Sequence, residues 1–220
     1  MAMPTGDNSW TLEKEMLQLS GAGSLPSAFY KIGLLPNPDA SFEYAVLADW
    51  HRSGAETYMY IFTVRSGPNW TKPVALKACV ATTFGTTTEA VLSRWIRRRV
   101  ILRAAGVATP HLYFSGAGLT VEEYLGSSLP SVISQSTLGQ AIHLAAALDR
   151  ERFRPIGPFN DLHIKDEVVY MVDFGADLGE PGVCTEPRYC FHKLLIYLRD
   201  MNLAHDLRQS EFLYLSCLER

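Results

Sequence analysis

Two short segments decide the fold: FNDLHIKD at residues 159–166 and DFG at residues 173–175. Six residues separate them. Either segment alone is a weak signal, since Asp-Phe-Gly is a short word that also arises by chance in ordinary turns. Both segments at this spacing are much more specific when they are combined with the strands and helices that precede them.

A lysine and a glutamate upstream of these segments are candidate residues of a charged functional site. Val74 to Lys77 reads Val-Ala-Leu-Lys, an apolar strand with one lysine, and burying that ammonium is costly unless it emerges into a polar cleft or snorkels to water. Glu89 is the only acidic residue between Ala81 and Pro110, and it opens the helix that follows. It fits either a site carboxylate or a capping box with Thr86 as N-cap and Glu89 at N3.

The first half of the chain has the pattern of an antiparallel sheet. Three strand-like runs, Phe42 to Ala48, Thr57 to Arg65 and Pro73 to Val80, are separated by turn-forming residues. A helix from Thr88 to Ala105 follows, and then two further strands, at residues 112–114 and 119–123. Five strands and one helix are expected in this half.

Helices dominate the rest of the chain. Apolar stripes predict helices at residues 137–148, 189–203 and 208–218, with short extended pieces at 161–164 and 168–172. A short amphipathic helix at 10–20 is expected to end at a break that runs from Gly21 to Pro26. The fold class is therefore α+β, with strands first and helices later.

Composition excludes several classes of protein. A net charge of −3 leaves no basic surplus for nucleic acid, and the basic residues Arg94, Arg97, Arg98, Arg99 and Arg103 are expected to form either a solvated helix face or an anion-binding patch. The four cysteines lack zinc or disulfide spacing. Neither an apolar run of membrane length nor a secretory signal is visible, so we expect no membrane span.

The segment Leu119 to Gly126, LTVEEYLG, resembles the interlobe hinge of the protein-kinase-like superfamily. The segments at 159–166 and 173–175 are similar to the catalytic loop and the metal-binding DFG of that superfamily. The resemblance implies a two-lobed minimal protein-kinase-like fold: an N-lobe at residues 1–121 with a five-stranded antiparallel sheet and one helix, a hinge at 122–126, and a reduced helical C-lobe at 127–220.

The same resemblance implies roles for individual residues. The catalytic residues would be Asp161, which orients the attacking hydroxyl, and Lys77, which pairs with the phosphates of ATP. The residues that bind or position the nucleotide would be Lys77, Glu89, Gly54, the Glu123 carbonyl and the Leu125 amide, and Glu89 would orient Lys77 through a charge-assisted hydrogen bond. The ligands of magnesium, or of manganese, would be Asp173 and Asp166.

Four positions depart from the pattern of the superfamily. Asp166 stands where Asn is usual, and Phe159 replaces a His. Gly54 is the one glycine in a turn that usually has three, which would loosen the grip on phosphate. Glu122 occupies the position of an apolar gatekeeper residue.

Small size and the short interval from Asp161 to Asp173 most resemble the minimal Hop-type bacterial effector kinases, which phosphorylate heat-shock protein 90 of the host. This implies a monomeric protein serine/threonine kinase with a protein substrate, delivered to the host cytoplasm without a classical signal peptide, or otherwise cytoplasmic. Two alternatives stay open. One is a small-molecule kinase of the aminoglycoside phosphotransferase type, which the sequences at Asp161 to His163 and Gly106 to Pro110 also resemble. The other is a pseudokinase that serves as a binding module.

Overall fold

The computed structural model describes residues 11–53, 56–80, 87–126, 134–156, 162–175, 178–203 and 206–219. Within these residues the chain is α+β and forms two compact units. The first comprises the described residues of Met1–Ser93 and His111–Tyr124, and the second those of Arg94–Pro110 and Leu125–Arg220. The division after Tyr124 falls inside the predicted hinge. Residues 94–110, which the sequence analysis placed in the first lobe, group with the second unit.

A five-stranded antiparallel sheet forms the body of the first unit, as the sequence predicted. The strands are β1 (Glu43–Arg52), β2 (Thr57–Arg65), β3 (Thr71–Cys79), β4 (Leu112–Gly116) and β5 (Leu119–Glu123). Their order in the sheet is β1-β2-β3-β5-β4. Apolar side chains of β2 and β3, with Leu119 and Val121 of β5, form part of the hydrophobic core of this unit.

Two short helices, α1 (Leu12–Ser20) and α2 (Leu25–Lys31), pack into the same core. The ring of Phe29 on α2 stacks on that of Phe62, with 6.1 Å between the ring centroids. The predicted break is confirmed from Gly21 to Ser24, where α1 ends, but it does not extend to Pro26, because the Ser24 hydroxyl caps α2 and accepts a hydrogen bond from the Ser27 amide. A proline in the first helical turn needs no N–H partner, so Pro26 fits the first turn of a helix that begins at Leu25.

The third helix, α3 (Thr88–Ala104), runs from the first unit into the second. Thr86 lies outside the described residues, and the cap is Thr87, whose hydroxyl accepts a hydrogen bond from the Ala90 amide at 3.2 Å. Glu89 is therefore the second helical residue and not the N3 member of the predicted capping box. The prediction of a solvated arginine face also needs correction, since Arg98 and Arg99 are 2% and 4% exposed.

The second unit is built on the apolar helix α4 (Gln135–Arg150). The Ser134 hydroxyl caps it by accepting a hydrogen bond from the Thr137 amide at 3.1 Å. In the described part of the chain, every helix is too short or too polar to span a lipid bilayer. The elements of this unit, besides most of α3, are α4 (Gln135–Arg150), β6 (Leu162–Lys165), β7 (Val168–Met171), α5 (Tyr189–Asp200) and α6 (Leu207–Leu218).

Asp149, near the end of α4, joins three helices of this unit. Its carboxylate accepts hydrogen bonds from the Cys190 amide at 2.8 Å, the Phe191 amide at 3.1 Å and the Tyr214 hydroxyl at 2.8 Å. The first amides of α5 have no partner inside their own helix, and Arg188 at the N-cap supplies no side-chain bond. A carboxylate from α4 therefore caps α5 and binds α6. Burial and this hydrogen bond raise the pKa of Tyr214.

Asp149→Ala should lower the free energy of unfolding by about 2 to 4 kcal/mol, because three buried donors lose a charged acceptor. Urea denaturation followed by circular dichroism measures this change. Asp200→Ala is the matched control, since that exposed carboxylate pairs with the exposed Arg199, and it should shift stability by no more than about 0.5 kcal/mol. Equal denaturation midpoints for the two variants would contradict the capping role of Asp149.

Candidate active site

The clearest charged feature of the first unit is an ion pair between Lys77 and Glu122. In the β3–β5 ladder Lys77 lies opposite Thr120, and Ala75 lies opposite Glu122. Lys77 and Glu122 are therefore diagonal neighbours on one face of the sheet. The ammonium contacts the carboxylate, with side chains 17% and 4% exposed. A carboxylate buried to this extent is tolerated when an opposite charge accompanies it.

Glu89, which the sequence analysis assigned as the partner of Lys77, lies in solvent at the start of α3. The Thr88 hydroxyl donates to its carboxylate at 3.2 Å. Hydrogen bonds from its own backbone and from Thr88 lower the pKa of the Glu89 carboxyl. The structure thus gives Lys77 a different carboxylate, Glu122, the residue that sequence analysis had noted only as a departure at the gatekeeper position.

The predicted hinge begins where β5 ends. The Glu123 amide donates to the His111 carbonyl at 2.8 Å, and the Tyr124 amide donates to the Pro73 carbonyl at 3.0 Å. Burial and the negative charge of Glu123 raise the pKa of Tyr113 to about 12. Gly126 has a φ of +85°, a backbone conformation that favours glycine. Contacts of adenine with the Glu123 carbonyl and the Leu125 amide stay predictions.

Two predicted site residues, Gly54 and Asp161, lie outside the described residues. Nothing is therefore added to the phosphate-binding prediction for Gly54. Asp161 directly precedes Leu162, the first residue of β6. Its predicted catalytic role also stays a prediction.

The β6–β7 hairpin separates the two predicted metal ligands. Leu162 pairs with Met171 at one end and Lys165 with Val168 at the other. Asp166 and Glu167 form the two-residue turn, with φ of +50° and +61°. Asp173 comes two residues after Met171, so it lies beyond the opposite end of a hairpin that is roughly 10 Å long. Asp166 is an exposed turn residue, and this separation argues against one metal bound by both carboxylates. A role of Asp166 at a second metal stays a prediction.

Hydrogen bonds to the rest of the second unit hold this hairpin in place. The Gln140 amide group on α4 donates to the Glu167 carbonyl at 2.7 Å and accepts from the Val169 amide at 3.0 Å. At the other end, the Met171 amide donates to the Ala108 carbonyl at 3.0 Å. The strand that leads to Asp173 is thus anchored along its length.

Asp173, Phe174 and Gly175 form a compact turn after β7. The Gly175 amide donates to Oδ1 of Asp173 at 2.6 Å, and the Leu178 amide donates to the Gly175 carbonyl at 3.2 Å. Phe174 is buried, whereas Asp173 is only half-buried. The turn therefore buries its aromatic ring while part of the Asp173 side chain stays accessible.

A magnesium ion is compatible with Asp173 as one protein ligand. Within the described ranges, no three His, Cys, Asp or Glu side chains come together as a preformed metal cluster, and Asp161 is not among the residues searched. Magnesium in phosphoryl-transfer sites is commonly held by one or two carboxylates, with substrate phosphates and water completing the shell. An accessible carboxylate on a fixed turn meets the protein's share of that requirement.

Sequence reasoning missed two buried charged residues, Glu122 and Arg98. Thr120 and Glu122 alternate with apolar residues along β5, which puts them on one face, but the register that brings Glu122 to Lys77 is not visible in the sequence. For Arg98 a signal existed. It falls on the helical stripe formed by Val91, Trp95 and Leu102, all of which are buried.

A double-mutant cycle should detect the Lys77–Glu122 pair. Glu122→Gln and Lys77→Met should each be destabilising, and the double variant should recover at least about 1 kcal/mol of the summed loss, because neither charge is then left unpaired. Urea denaturation of the four proteins gives the coupling energy. The exposed Arg199–Asp200 pair, at 2.8 Å, is the control and should couple by less than about 0.5 kcal/mol. Strictly additive losses at Lys77 and Glu122 would show that the pair contributes nothing.

Comparison with known proteins does not assign this chain to a family. No protein-family model matches the sequence, and no curated protein matches it at a significant level. A function has to be inferred from the residues of the chain itself.

Proposed function

We propose that this chain is an ATP-dependent protein serine/threonine kinase that uses magnesium or manganese. The observation that carries the proposal is Lys77, a lysine within a central strand whose ammonium is held by the buried Glu122 carboxylate. A lysine with only a structural role has a lower free-energy cost at the surface, where its charge stays hydrated. A lysine held in this way is suited to meet phosphate oxygens.

Lys77 would pair with the α- and β-phosphates of ATP. Its ammonium is a point charge on a flexible stem, so its direction depends on a neighbouring acceptor. Glu122 supplies that acceptor from the adjacent strand. In this proposal Glu122 takes the orienting role that the family resemblance gave to Glu89, and Glu89 serves the start of α3.

The acidic residues Asp173 and Asp161 would serve the transferred phosphoryl group and the acceptor. A bound magnesium ion would neutralise charge on the β- and γ-phosphates in the transition state. Asp173 would contribute one carboxylate oxygen to it, with the Gly175 amide fixing the other oxygen of the same carboxylate. Asp161 would orient the attacking hydroxyl of the substrate. Asp166 does not bind this metal ion in the proposal, because it lies in the hairpin turn.

A protein is the favoured acceptor. Residues 176–186, which lie between Gly175 and Pro187, number 11 and leave no room for a long activation segment. An enzyme of this kind needs no phosphorylation of that loop, so it should be active as purified. Resemblance to the Hop-type effectors suggests heat-shock protein 90 of a host as the substrate, reached by secretion into the host cytoplasm, and a monomeric enzyme.

Lys77→Ala and Asp173→Ala should each reduce phosphoryl transfer by at least about 100-fold while the fold is retained, because each removes electrostatic stabilisation of phosphate charge. Purified protein would be incubated with labelled ATP and magnesium, together with eukaryotic lysate, purified heat-shock protein 90 or a panel of amino sugars. Circular dichroism checks the fold, and Asp200→Ala is the control that should keep full activity.

The acceptor that becomes labelled distinguishes the alternatives. One labelled protein band that disappears in Asp161→Ala supports a protein kinase, and a band at heat-shock protein 90 supports the specific resemblance. Label confined to an amino sugar would replace the proposal by a small-molecule kinase. Failure to bind ATP at all would leave a pseudokinase.

The choice between Glu122 and Glu89 can be tested with two isosteric substitutions. Glu122→Gln should lower kcat by about tenfold or more, because Lys77 loses a charged partner. Glu89→Gln should leave both kcat and the melting temperature unchanged, since glutamine still suits the first helical turn. Turnover measured at a temperature where both variants are folded decides the point. A loss confined to Glu89→Gln would return the orienting role to Glu89.

A further inference from the structure

The Arg98 side chain on α3 donates hydrogen bonds to the backbone of the Asp-Phe-Gly turn. Its Nη1 donates to the carbonyl oxygens of both Phe174 and Gly175, to the first at 2.9 Å, and its Nη2 donates to Oε1 of Glu180 at 2.9 Å. A guanidinium presents its donors in a rigid planar fork, so one side chain can hold several acceptors in a defined geometry. Arg98 thus binds the carbonyl groups of the two residues that follow Asp173.

Arg98 is buried, so these hydrogen bonds must offset the hydration that its charge has lost. The Arg98 side chain is 2% exposed, whereas Glu180 is 44% exposed and shares its charge with water. A buried guanidinium needs hydrogen-bond acceptors to offset its lost hydration, and the two backbone carbonyls supply them. An apolar side chain would fill the same space at lower cost, so the arginine is better suited to specifying the conformation of the turn than to packing alone.

The next residue of α3 holds the side chain of the same turn. The Arg99 guanidinium carbon lies 5.3 Å from the ring centroid of Phe174. A cation over an aromatic face at this distance is attractive. Consecutive residues of one helix therefore restrain both the backbone and the ring of Phe174.

We infer that Arg98 is the positioning residue for Asp173, acting through the backbone of Phe174 and Gly175. The Gly175 carbonyl is held by Arg98, and the Gly175 amide donates to Oδ1 of Asp173 at 2.6 Å. Fixing this residue fixes the direction of the Asp173 carboxylate. The inference rests on the proposed function, in which Asp173 binds the metal that accompanies ATP.

Arg98→Lys is the informative variant, because it keeps the positive charge and removes the planar fork. Arg97→Lys is its matched control: it makes the same change one residue earlier, at an exposed position of the same helix. The first measurement is hydrogen exchange of the peptide that covers residues 172–180. The second is the affinity for Mn²⁺ in the presence of a non-hydrolysable ATP analogue, by isothermal titration.

Arg98→Lys should increase exchange at the Gly175 amide and weaken Mn²⁺ binding by about tenfold or more, as loss of a residue that orients a metal ligand does elsewhere. Arg97→Lys should change neither. If Arg98→Lys lowers the melting temperature but leaves Mn²⁺ affinity and exchange of the turn unchanged, the role of Arg98 is only structural and the inference is wrong.

Wild-type protein keeps the inference testable even if Arg98→Lys does not fold. Its Gly175 amide should exchange slowly with solvent, at a rate like that of amides in the buried helices. Exchange at the rate of an open loop would contradict the hydrogen bonding of Arg98 to the turn. Failure of the proposed function gives a different result: the wild type would bind no Mn²⁺ with nucleotide although Gly175 is protected. That outcome would remove the metal-positioning role and leave the turn contact in place.

Discussion

A charged group that leaves water loses its hydration free energy. An opposite charge or hydrogen bonds inside the protein must offset that loss. This requirement accounts for three of the charge contacts in the structure. Glu122 is compensated by Lys77, Arg98 by two backbone carbonyls and Glu180, and Asp149 by the amides of α5 and a tyrosine hydroxyl. Each compensation joins elements that are distant in the sequence. The charged residues thus specify which elements meet, while apolar burial supplies most of the driving force.

The location of the lysine's partner has consequences for how the proposed kinase would be controlled. A carboxylate on a helix can approach or leave a lysine as the helix moves. Lys77 and Glu122 belong to neighbouring strands of one sheet, so strand register sets their separation, and the pair exists whenever the sheet is folded. Such a site would be ready before substrate arrives. In the proposed kinase, this pair and the short segment after Gly175 would leave no need for an activation step.

The second unit secures the Asp173 turn from three directions. Gln140 of α4 forms hydrogen bonds with the turn and the β7 strand of the preceding hairpin. The Ala108 carbonyl accepts a hydrogen bond from the end of β7, and Arg98 donates hydrogen bonds to the turn itself. The same hairpin keeps Asp166 at its tip, away from Asp173. In the proposed kinase, a metal at Asp173 would therefore draw its remaining ligands from phosphates and water and not from Asp166. Hydrogen bonds that orient a ligating carboxylate strengthen metal binding, so these contacts support the role proposed for Asp173.

Local sequence patterns predicted the five-stranded sheet and the described helices other than α2, because periodicity and turn formers act over a few residues. They failed at α2, where Ser24 caps a helix that begins at Leu25 and contains Pro26, residues that had been interpreted as a break. Only the tertiary structure decided that Glu122 meets Lys77, that Asp166 lies apart from Asp173, and that Arg98 reaches Phe174, 76 residues away. Strand register, hairpin length and helix packing fix these contacts, and they depend on the burial of the whole core, which no short stretch of sequence encodes.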